Sequence, residues 1–201
     1  MLNLEKLNFK QSPSGFPMLE PCDSDCTRYI GFNYALTAAK RAPIEDVGIH
    51  FFLDDYQFER VWTAPERYVG LIRRFHCAMT PDFSLYTDMP EILQKYNHYR
   101  KQWIGAYWQA HCIDVIPTVS WSDKSSFLWC FEGIPSNGIV AVSSVGTQKG
   151  RESKMKFLTG YEKMMEALNP RTIVFYGSIP DECSGNIVKI GCFQDRFGGG
   201  K

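Results

Sequence analysis

Short apolar runs alternate with longer amphipathic stretches along most of the chain. Six apolar runs have the length of strands, and they lie at residues 47–53, 77–79, 113–119, 139–142, 172–176 and 187–190. Four stretches have helical spacing, at residues 26–41, 58–75, 88–110 and 152–168. The runs are continuous rather than alternating, which is typical of strands that helices cover. Because helices separate most of the strands, the pattern predicts parallel strands with right-handed crossovers.

The predicted fold class is α/β, with a mostly parallel sheet of five or six strands and helical crossovers. A closed barrel of eight such units typically needs about 250 residues, and this chain has 201. We therefore expect an incomplete TIM-like barrel or an open three-layer sandwich. The connection at residues 178–186 is short, so an antiparallel edge strand at 187–190 is an alternative to a parallel one.

The chain is expected to divide into three parts. Residues 1–46 form an N-terminal arm and a helix packed on the core, with Asp25 as the N-cap of that helix. Residues 47–196 form a single α/β domain. Residues 197–201 end in Gly-Gly-Gly-Lys and are expected to be a flexible tail.

Charge and cysteine content narrow the class of protein. Lys plus Arg and Asp plus Glu each number 22, so the net charge is zero, which argues against non-specific coating of DNA. Seven scattered cysteines are a poor disulfide framework and indicate a reducing compartment. No apolar run approaches the roughly 20 residues that span a bilayer. We expect a cytoplasmic protein with free thiols and no membrane contact.

Carboxylates follow several predicted strands. Asp54 and Asp55 come after the first, Asp82 after the second and Asp123 after the third. Since ligands bind at the carboxyl ends of parallel strands, these residues predict a shared site. Such a site would hold Mg²⁺ or Mn²⁺, or supply a general acid and a general base. The alternative is that the aspartates cap helices.

Two charged residues lie one turn into the helix that follows the first strand. Glu59 and Arg60 are candidates to orient the carboxylates or to pair with each other. In the long helix, a stripe of Tyr96, Tyr99, Trp103 and Tyr107 predicts core or interface, with base stacking as the alternative. Its neighbours Arg100 and Lys101 are expected on a solvated face.

A loop rich in small residues separates the strand at 139–142 from the helix at 152–168. Backbone N–H groups at such a junction can hold phosphate. Ser143, Ser144, Gly146 and Thr147 are the candidates, with Lys149 adding a charge. The loop matches neither the Walker pattern nor the dinucleotide fingerprint, and an ordinary turn is the alternative.

Several motifs resemble those of the domain-of-unknown-function family 4417. They lie in order at residues 52–62, 81–86, 107–109, 115–121, 143–147 and 175–177. Members of that family are carried by phages, plasmids and integrative elements of bacteria, and have no established activity. The resemblance implies a mobile-element protein in the host bacterial cytoplasm, and it adds no mechanism.

The leading hypothesis is an enzyme that acts on the phosphate of a nucleotide or nucleic acid with a divalent metal, Mg²⁺ or Mn²⁺. Asp54, Asp55 and Asp82 would hold the metal or act as base. The candidate substrate-binding residues are Trp121, Ser143, Ser144, Gly146, Thr147 and Tyr176. The alternative is a non-catalytic phage-type protein that sequesters a nucleotide signal or blocks a host protein.

Overall fold

The computed structural model describes residues 3–6, 8–24, 26–41, 44–148 and 150–191. The strands are β1 (Arg28–Gly31), β2 (Val47–His50), β3 (Ala78–Met79), β4 (Val115–Ile116), β5 (Ile139–Ser143), β6 (Thr172–Tyr176) and β7 (Ile187–Ile190). The helices are α1 (Phe32–Arg41), α2 (Glu59–Thr63), α3 (Glu66–Ile72), α4 (Glu91–Ala110) and α5 (Arg151–Leu168). Short 3₁₀ turns lie at Leu4–Lys6, Asp55–Gln57 and Lys124–Leu128.

The strands form two parallel sheets that follow chain order. The first sheet is β1-β2-β3-β4 and the second is β5-β6-β7. A parallel bridge between Thr118 and Ala141 connects them. Ala141 N donates to Pro117 O at 2.9 Å, and Val119 N donates to Ala141 O at 2.8 Å. In the described part of the chain β1 and β7 remain edge strands, so no closed barrel forms.

The sequence prediction missed one strand, so the described residues form seven strands where five or six were expected. Residues 28–31 form β1 rather than the first turn of a helix, and α1 begins at Phe32. Pairing of Arg28–Gly31 with Val47–His50 gives these residues a tertiary hydrogen-bonding partner that local helical spacing does not reveal. Strand β7 is parallel to β6, so the antiparallel alternative is also wrong. The predicted helix cap, Asp25, lies outside the described residues.

The two sheets share one apolar interior. Side chains from both sheets meet there in a single buried cluster, which includes Phe52, Cys77, Met79, Ile116, Ala141, Val174, Tyr176 and Ile190. The ring of Tyr176 at the end of β6 lies 4.9 Å from that of His50 in β2 and 5.0 Å from that of Phe52. Strands far apart in sheet order thus touch directly, so the strands curve around a common interior.

Helices cover the outer faces of the sheets. Helices α1 to α4 contribute to one cluster around Phe51, Trp62 and Trp103, and α5 packs on the second sheet through Phe157 and Met164. The aromatic stripe of α4 belongs to this core. Trp103 is fully buried and stacks on Tyr107 at 5.0 Å. Among the described residues, no helix is both long and apolar enough to cross a membrane.

The described part of the N-terminal arm packs against α4. Phe16 is buried and meets His98 edge to face at 4.6 Å. Leu19 N donates to Gly133 O at 2.8 Å. The proposed division of the chain at residues 46 and 196 remains a prediction, and residues 197–201 lie outside the described residues.

Two helical glycines provide a matched test of the packing. A methyl group at Gly160 in α5 would overlap the Trp121 indole, whereas one at Gly70 in α3 would meet nothing within 4 Å. Gly160→Ala should lower the free energy of unfolding by about 1–3 kcal/mol through overpacking. Gly70→Ala should raise it by about 0.5–1 kcal/mol through the lower entropy of the unfolded chain. Urea denaturation measures both, and equal shifts of one sign would contradict the described packing of Trp121 on α5.

Candidate functional site

A cavity of about 900 Å³ opens at the carboxyl ends of the strands. Residues at or just after the end of each strand contribute to its wall, namely Gly31, Leu53, Asp54, Asp82, Ser120, Val145, Tyr176 and Gly191. The curvature of the sheets brings these ends together, because side chains of β2 and β6 already meet in the interior. The cavity has the size of typical small-molecule sites.

Five of the predicted site residues line this cavity: Asp54, Asp82, Trp121, Ser143 and Tyr176. The other six are not among its lining residues: Asp55, Glu59, Arg60, Ser144, Gly146 and Thr147. The expected region of the molecule therefore forms a cavity, while about half of the candidate side chains have other partners.

The Asp82 carboxyl group lies between the cavity and a buried cation. Its Oδ1 is buried and has no hydrogen-bond partner. Burial raises the pKa of Asp82 to about 6, an effect that the nearby Lys101 and a hydrogen bond with Ser120 oppose and that Asp55 reinforces. Lys101 is 1% exposed, and its Nζ donates to Ser120 Oγ at 2.9 Å. Perturbed ionisable groups beside a cavity are typical of functional sites.

Asp55 connects the ends of two neighbouring strands. Its carboxylate accepts hydrogen bonds from Ser84 Oγ at 2.9 Å and from Ser84 N at 3.2 Å. The exposed Asp54 accepts a long bond of 3.4 Å from Gln57 Nε2. In the part of the chain that the structure describes, no group of three or more His, Cys, Asp or Glu is placed to share a metal ion. The predicted trio of Asp54, Asp55 and Asp82 thus does not form a three-ligand site, because Asp55 turns towards Ser84.

Glu59 and Arg60 do not pair with each other. Glu59 accepts two hydrogen bonds from Arg100 Nη1, at 2.7 and 2.8 Å. The Arg60 guanidinium lies 4.9 Å from the centre of the Phe32 ring and 5.7 Å from that of Tyr68. Both residues therefore stabilise the packing of helices rather than orient the aspartates directly.

A hydrogen-bonded network supports the segment that carries Asp82. Arg100 donates to Asn97 Oδ1 at 2.7 Å, and Asn97 Nδ2 donates to Ser84 O at 2.7 Å. The Arg100 guanidinium lies 3.8 Å from the centre of the Phe83 ring. Arg100 and Lys101 are both buried, so the expected solvated face of α4 is wrong at these two positions. Their charges are compensated by Glu59 and by the Asp82–Ser120 pair.

The hydroxyl groups of the loop after β5 have hydrogen-bond partners within the protein. Ser144 Oγ is buried and donates to Ser178 O at 2.6 Å, and Thr147 Oγ1 donates to Ser144 O at 2.7 Å. Gly146 has a left-handed φ of 83°, as a tight turn requires. Ser143 Oγ accepts from Val145 N at 3.2 Å. These contacts fit the ordinary-turn interpretation, and Lys149 lies outside the described residues.

The inner wall of the cavity is aromatic. His50, Phe52 and Tyr176 line it and contact one another, with ring centres of Phe52 and Tyr176 5.0 Å apart at 23°. Burial lowers the pKa of His50 to about 4, so the ring is neutral at pH 7. Its Nδ1 is buried without a hydrogen-bond partner.

His50 and Lys101 are the residues that the sequence did not indicate as site residues. His50 lies inside a strand, where a packed histidine is the usual outcome, and Lys101 lies in a helix on the face taken as solvated. One signal was present for Lys101. Gln94, Asn97 and Lys101 are spaced by three and four residues, so they lie on one face of α4. All three are buried.

A second, smaller cavity of about 460 Å³ lies between the Lys124–Leu128 turn and the first half of α5. Asp123 lines it and caps the turn by accepting from Ser125 N at 3.0 Å and Ser125 Oγ at 2.7 Å. These hydrogen bonds lower its pKa. Asp123 thus has the capping role, and it does not line the cavity that Asp54 and Asp82 share.

Comparison with known proteins identifies the family of this chain. The family described as "Domain of unknown function (DUF4417)" matches residues 9–194. The chain belongs to this family. The match includes every strand and helix from β1 to β7 and confirms the resemblance found in the sequence motifs. No solved structure gives a significant match.

Two phage proteins are similar to this member of the family. A "Gene 1 protein" of Mycobacterium phage D29 is 37% identical over 183 residues, which cover 89% of this chain and 66% of the phage protein. A "Gene 1 protein" of Mycobacterium phage L5 is 42% identical over 131 residues, which cover 65% of this chain and 57% of the phage protein. The chain thus spans less than two thirds of the length of either relative.

The ionisation of Asp82 provides a direct test of the site. Its ordinary pKa is 3.8, so a folded value near 6 means that Asp82 favours the folded state in its protonated form. That contribution to stability is lost as the pH rises through about 6. In a carboxyl ¹³C NMR titration, we expect a midpoint near 6 that is absent from Asp82→Asn. Lys101→Met should raise this midpoint, because the ammonium group favours the carboxylate.

Lys156→Met is the matched control for this titration. Lys156 forms an exposed ion pair with Glu152 in α5 at 2.9 Å and does not line the large cavity. The midpoint of Asp82 should not change in this variant. A midpoint near 3.8 in the wild type, or a lower midpoint in Lys101→Met, would contradict the described environment.

Proposed function

We propose that this protein is an enzyme that acts on a nucleotide bound in the cavity at the strand ends, with Asp82 as its acid–base group. The observation that carries the proposal is the half-buried Asp82, with a buried Oδ1, beside Lys101 and Ser120 at the wall of a cavity large enough for such a ligand. A general acid or base works best when its pKa lies near the working pH. A carboxyl group with a pKa of about 6 meets that condition.

In this proposal the residues around Asp82 have distinct roles. Above pH 6 the Asp82 carboxylate accepts a proton from the bound ligand. Asp82 then releases this proton to solvent, and the Lys101 ammonium stabilises the carboxylate that is formed again. Ser120 receives the hydrogen bond from Lys101 and fixes the position of that cation. The Glu59–Arg100–Asn97 network keeps the segment of Asp82 and Ser84 in place.

The choice of a nucleotide rests on the chemistry of the wall. His50, Phe52, Trp121 and Tyr176 provide apolar ring surface, and Ser84, Ser120 and Ser143 provide hydroxyl groups. Aromatic surface suits a heteroaromatic base, and hydroxyl groups suit a sugar. The architecture that we propose is an incomplete TIM-like barrel, which the chain order of the strands and their common interior support.

A divalent cation, Mg²⁺ or Mn²⁺, is part of the proposal. Asp54 is the lining carboxylate at the exposed edge of the cavity, and Mg²⁺ commonly uses one or two carboxylates together with substrate phosphates. Bound in this way, the cation would neutralise the phosphate charge beside Asp54. We further propose that the protein works in the cytoplasm of the bacterial host.

A second candidate function is a non-catalytic phage-type protein that sequesters a nucleotide signal or blocks a host protein. Two observations favour it. The hydroxyl groups of Ser144 and Thr147 already donate hydrogen bonds to backbone carbonyl oxygens, and the described carboxylates do not form a three-ligand metal group. A binding protein needs neither free hydroxyl groups in this loop nor a metal site. The exposed Tyr56, Tyr86 and Ile92 offer apolar surface for a protein partner.

Turnover distinguishes the two candidates. Native mass spectrometry of protein purified gently from bacteria, with and without a chelator, should show the added mass of a nucleotide. Incubation with that nucleotide and Mg²⁺ or Mn²⁺ should convert it, as followed by chromatography and mass spectrometry. Asp82→Asn should reduce the rate by about 10²–10⁴-fold, the usual contribution of one acid–base group. Asp54→Asn should raise the metal concentration needed and leave the melting temperature nearly unchanged.

Asp123→Asn is the control, because Asp123 lines the other cavity. Its rate should equal that of the wild type. A nucleotide that binds and is returned chemically intact would overturn the enzyme and support the binding protein. A protein that binds no nucleotide with either metal would overturn both small-ligand functions.

A further inference from the structure

We infer that the nucleotide enters the cavity base first, so that Asp82 and His50 hold the edge of the base against the rings of Phe52 and Tyr176 while its phosphates stay at the mouth. The inference rests on the proposed function and gives the orientation of the ligand in the same site. It identifies the recognised group as a heteroaromatic base with N–H donors. Four observations lead to it.

The first observation is the depth of the polar groups. Asp54 is an exposed residue, whereas Asp82 Oδ1 and His50 Nδ1 are buried. His50 as a whole is 7% exposed. A ligand that reaches the inner wall therefore meets Asp82 and His50, and the part of the ligand that remains outside meets Asp54. The cavity has an inner end and an outer end with different chemistry.

The second observation is that the two inner groups lack partners. Asp82 Oδ1 and His50 Nδ1 have no hydrogen-bond partner among the described residues. Buried polar atoms in native proteins are nearly always paired, and an exception calls for an explanation. Both residues line the cavity. Both atoms are closed to solvent in this structure, so the inference requires the two side chains to turn towards the cavity. A ligand that carries ring nitrogen and N–H groups then provides the missing partners for a carboxylate and a neutral imidazole.

The third observation is the flat aromatic surface beside these groups. Phe52 and Tyr176 lie nearly parallel, with 23° between their planes, and His50 lies 6.0 Å from Phe52 and 4.9 Å from Tyr176. Stacking on aromatic side chains is a common way to bind the face of a base. The same wall thus provides a face for stacking and an edge for hydrogen bonding, which together identify a planar heteroaromatic ring.

The fourth observation concerns charge. Among the described residues that line the cavity there is no Lys or Arg, while Asp82 is acidic. A phosphate placed at the inner end would have no lining cation to pair with and would face a carboxylate, and like charges repel. The phosphate is therefore expected at the outer end, where water weakens the repulsion and the proposed Mg²⁺ or Mn²⁺ lies between the phosphate and Asp54. Carboxylates accept hydrogen bonds from base amino and imino groups without this conflict.

The experiment compares ligands that have only one end of a nucleotide. Isothermal titration calorimetry of the full chain would measure Kd for adenosine, guanosine, cytidine and uridine, for their 5′-monophosphates, and for pyrophosphate with Mg²⁺. We expect at least one nucleoside to bind without phosphate or metal. Its Kd should be about tenfold lower than that of the nucleoside that binds most weakly. Asp82→Asn and His50→Phe should each weaken binding of that nucleoside about tenfold or more. The first replaces a charged acceptor with a neutral amide that has one acceptor oxygen fewer, and the second removes both ring nitrogens.

Two control variants test whether nucleoside affinity depends on the inner end of the cavity alone. Asp54→Asn should leave nucleoside affinity unchanged and weaken only the monophosphate measured with Mg²⁺. Asp123→Asn, in the other cavity, should change neither affinity. Circular dichroism and the melting temperature would show that each variant is folded, and Asp82→Asn keeps the size and shape of the side chain.

The outcomes distinguish this inference from the function on which it rests. Binding of monophosphates or pyrophosphate with no binding of any nucleoside would overturn the base-first orientation and leave a nucleotide site. Nucleoside binding that Asp82→Asn and His50→Phe do not weaken would also overturn it. No binding of any compound would overturn both the inference and the proposed function.

Discussion

The contact between β2 and β6 through the shared interior is the constraint on which the rest of this structure depends. The rings of His50 and Phe52 meet Tyr176, although β3, β4 and β5 lie between their strands in sheet order. That contact requires the two parallel sheets to curve towards each other around one apolar cluster. A flat sheet would place the strand ends along a line. Curvature places them around a cavity, so seven strand ends contribute to one wall.

Burial of charge is the second feature that defines the site. Lys101 and Arg100 are neighbours in α4 and are both buried, which is unusual for such residues. Each has an acidic partner nearby, Asp82 for Lys101 and Glu59 for Arg100. Arg100 supports the segment after β3 by way of Asn97, and Lys101 opposes the rise that burial causes in the pKa of Asp82. Packing and site chemistry are thus coupled through one turn of a single helix.

Membership of the DUF4417 family places the chain among proteins with phage relatives and without a described activity. The relatives are named only as Gene 1 proteins, and the feature of this chain that points to a function is the cavity. Its inner end is aromatic with unpaired polar atoms, and its outer end is exposed and acidic. This polarity fits a ligand with a flat ring at one end and charge at the other, which is the chemistry of a nucleotide.

The sequence by itself determined the alternation of strands and helices, the parallel strand pairing and the strand ends at which the cavity lies. Apolar runs and helical spacing are local signals, and for this reason β5, β6, β7 and α5 were predicted within about a residue of their ends. The same signals placed Asp54, Asp82, Trp121, Ser143 and Tyr176 at strand ends. The family resemblance came from the same local motifs.

Only the tertiary structure decided which of those residues share the cavity and which have other partners. Strand β1 forms because β2 supplies its hydrogen bonds, so residues 28–31 carry no local sign of it. Asp55 turns to Ser84, Glu59 to Arg100 and Ser144 to Ser178, each a partner at least 29 residues away. Lys101 and His50 join the site through burial, which depends on how α4 and the curved sheets pack. Partners distant in sequence leave no periodic pattern, and for that reason the chemistry of the site had to come from the fold.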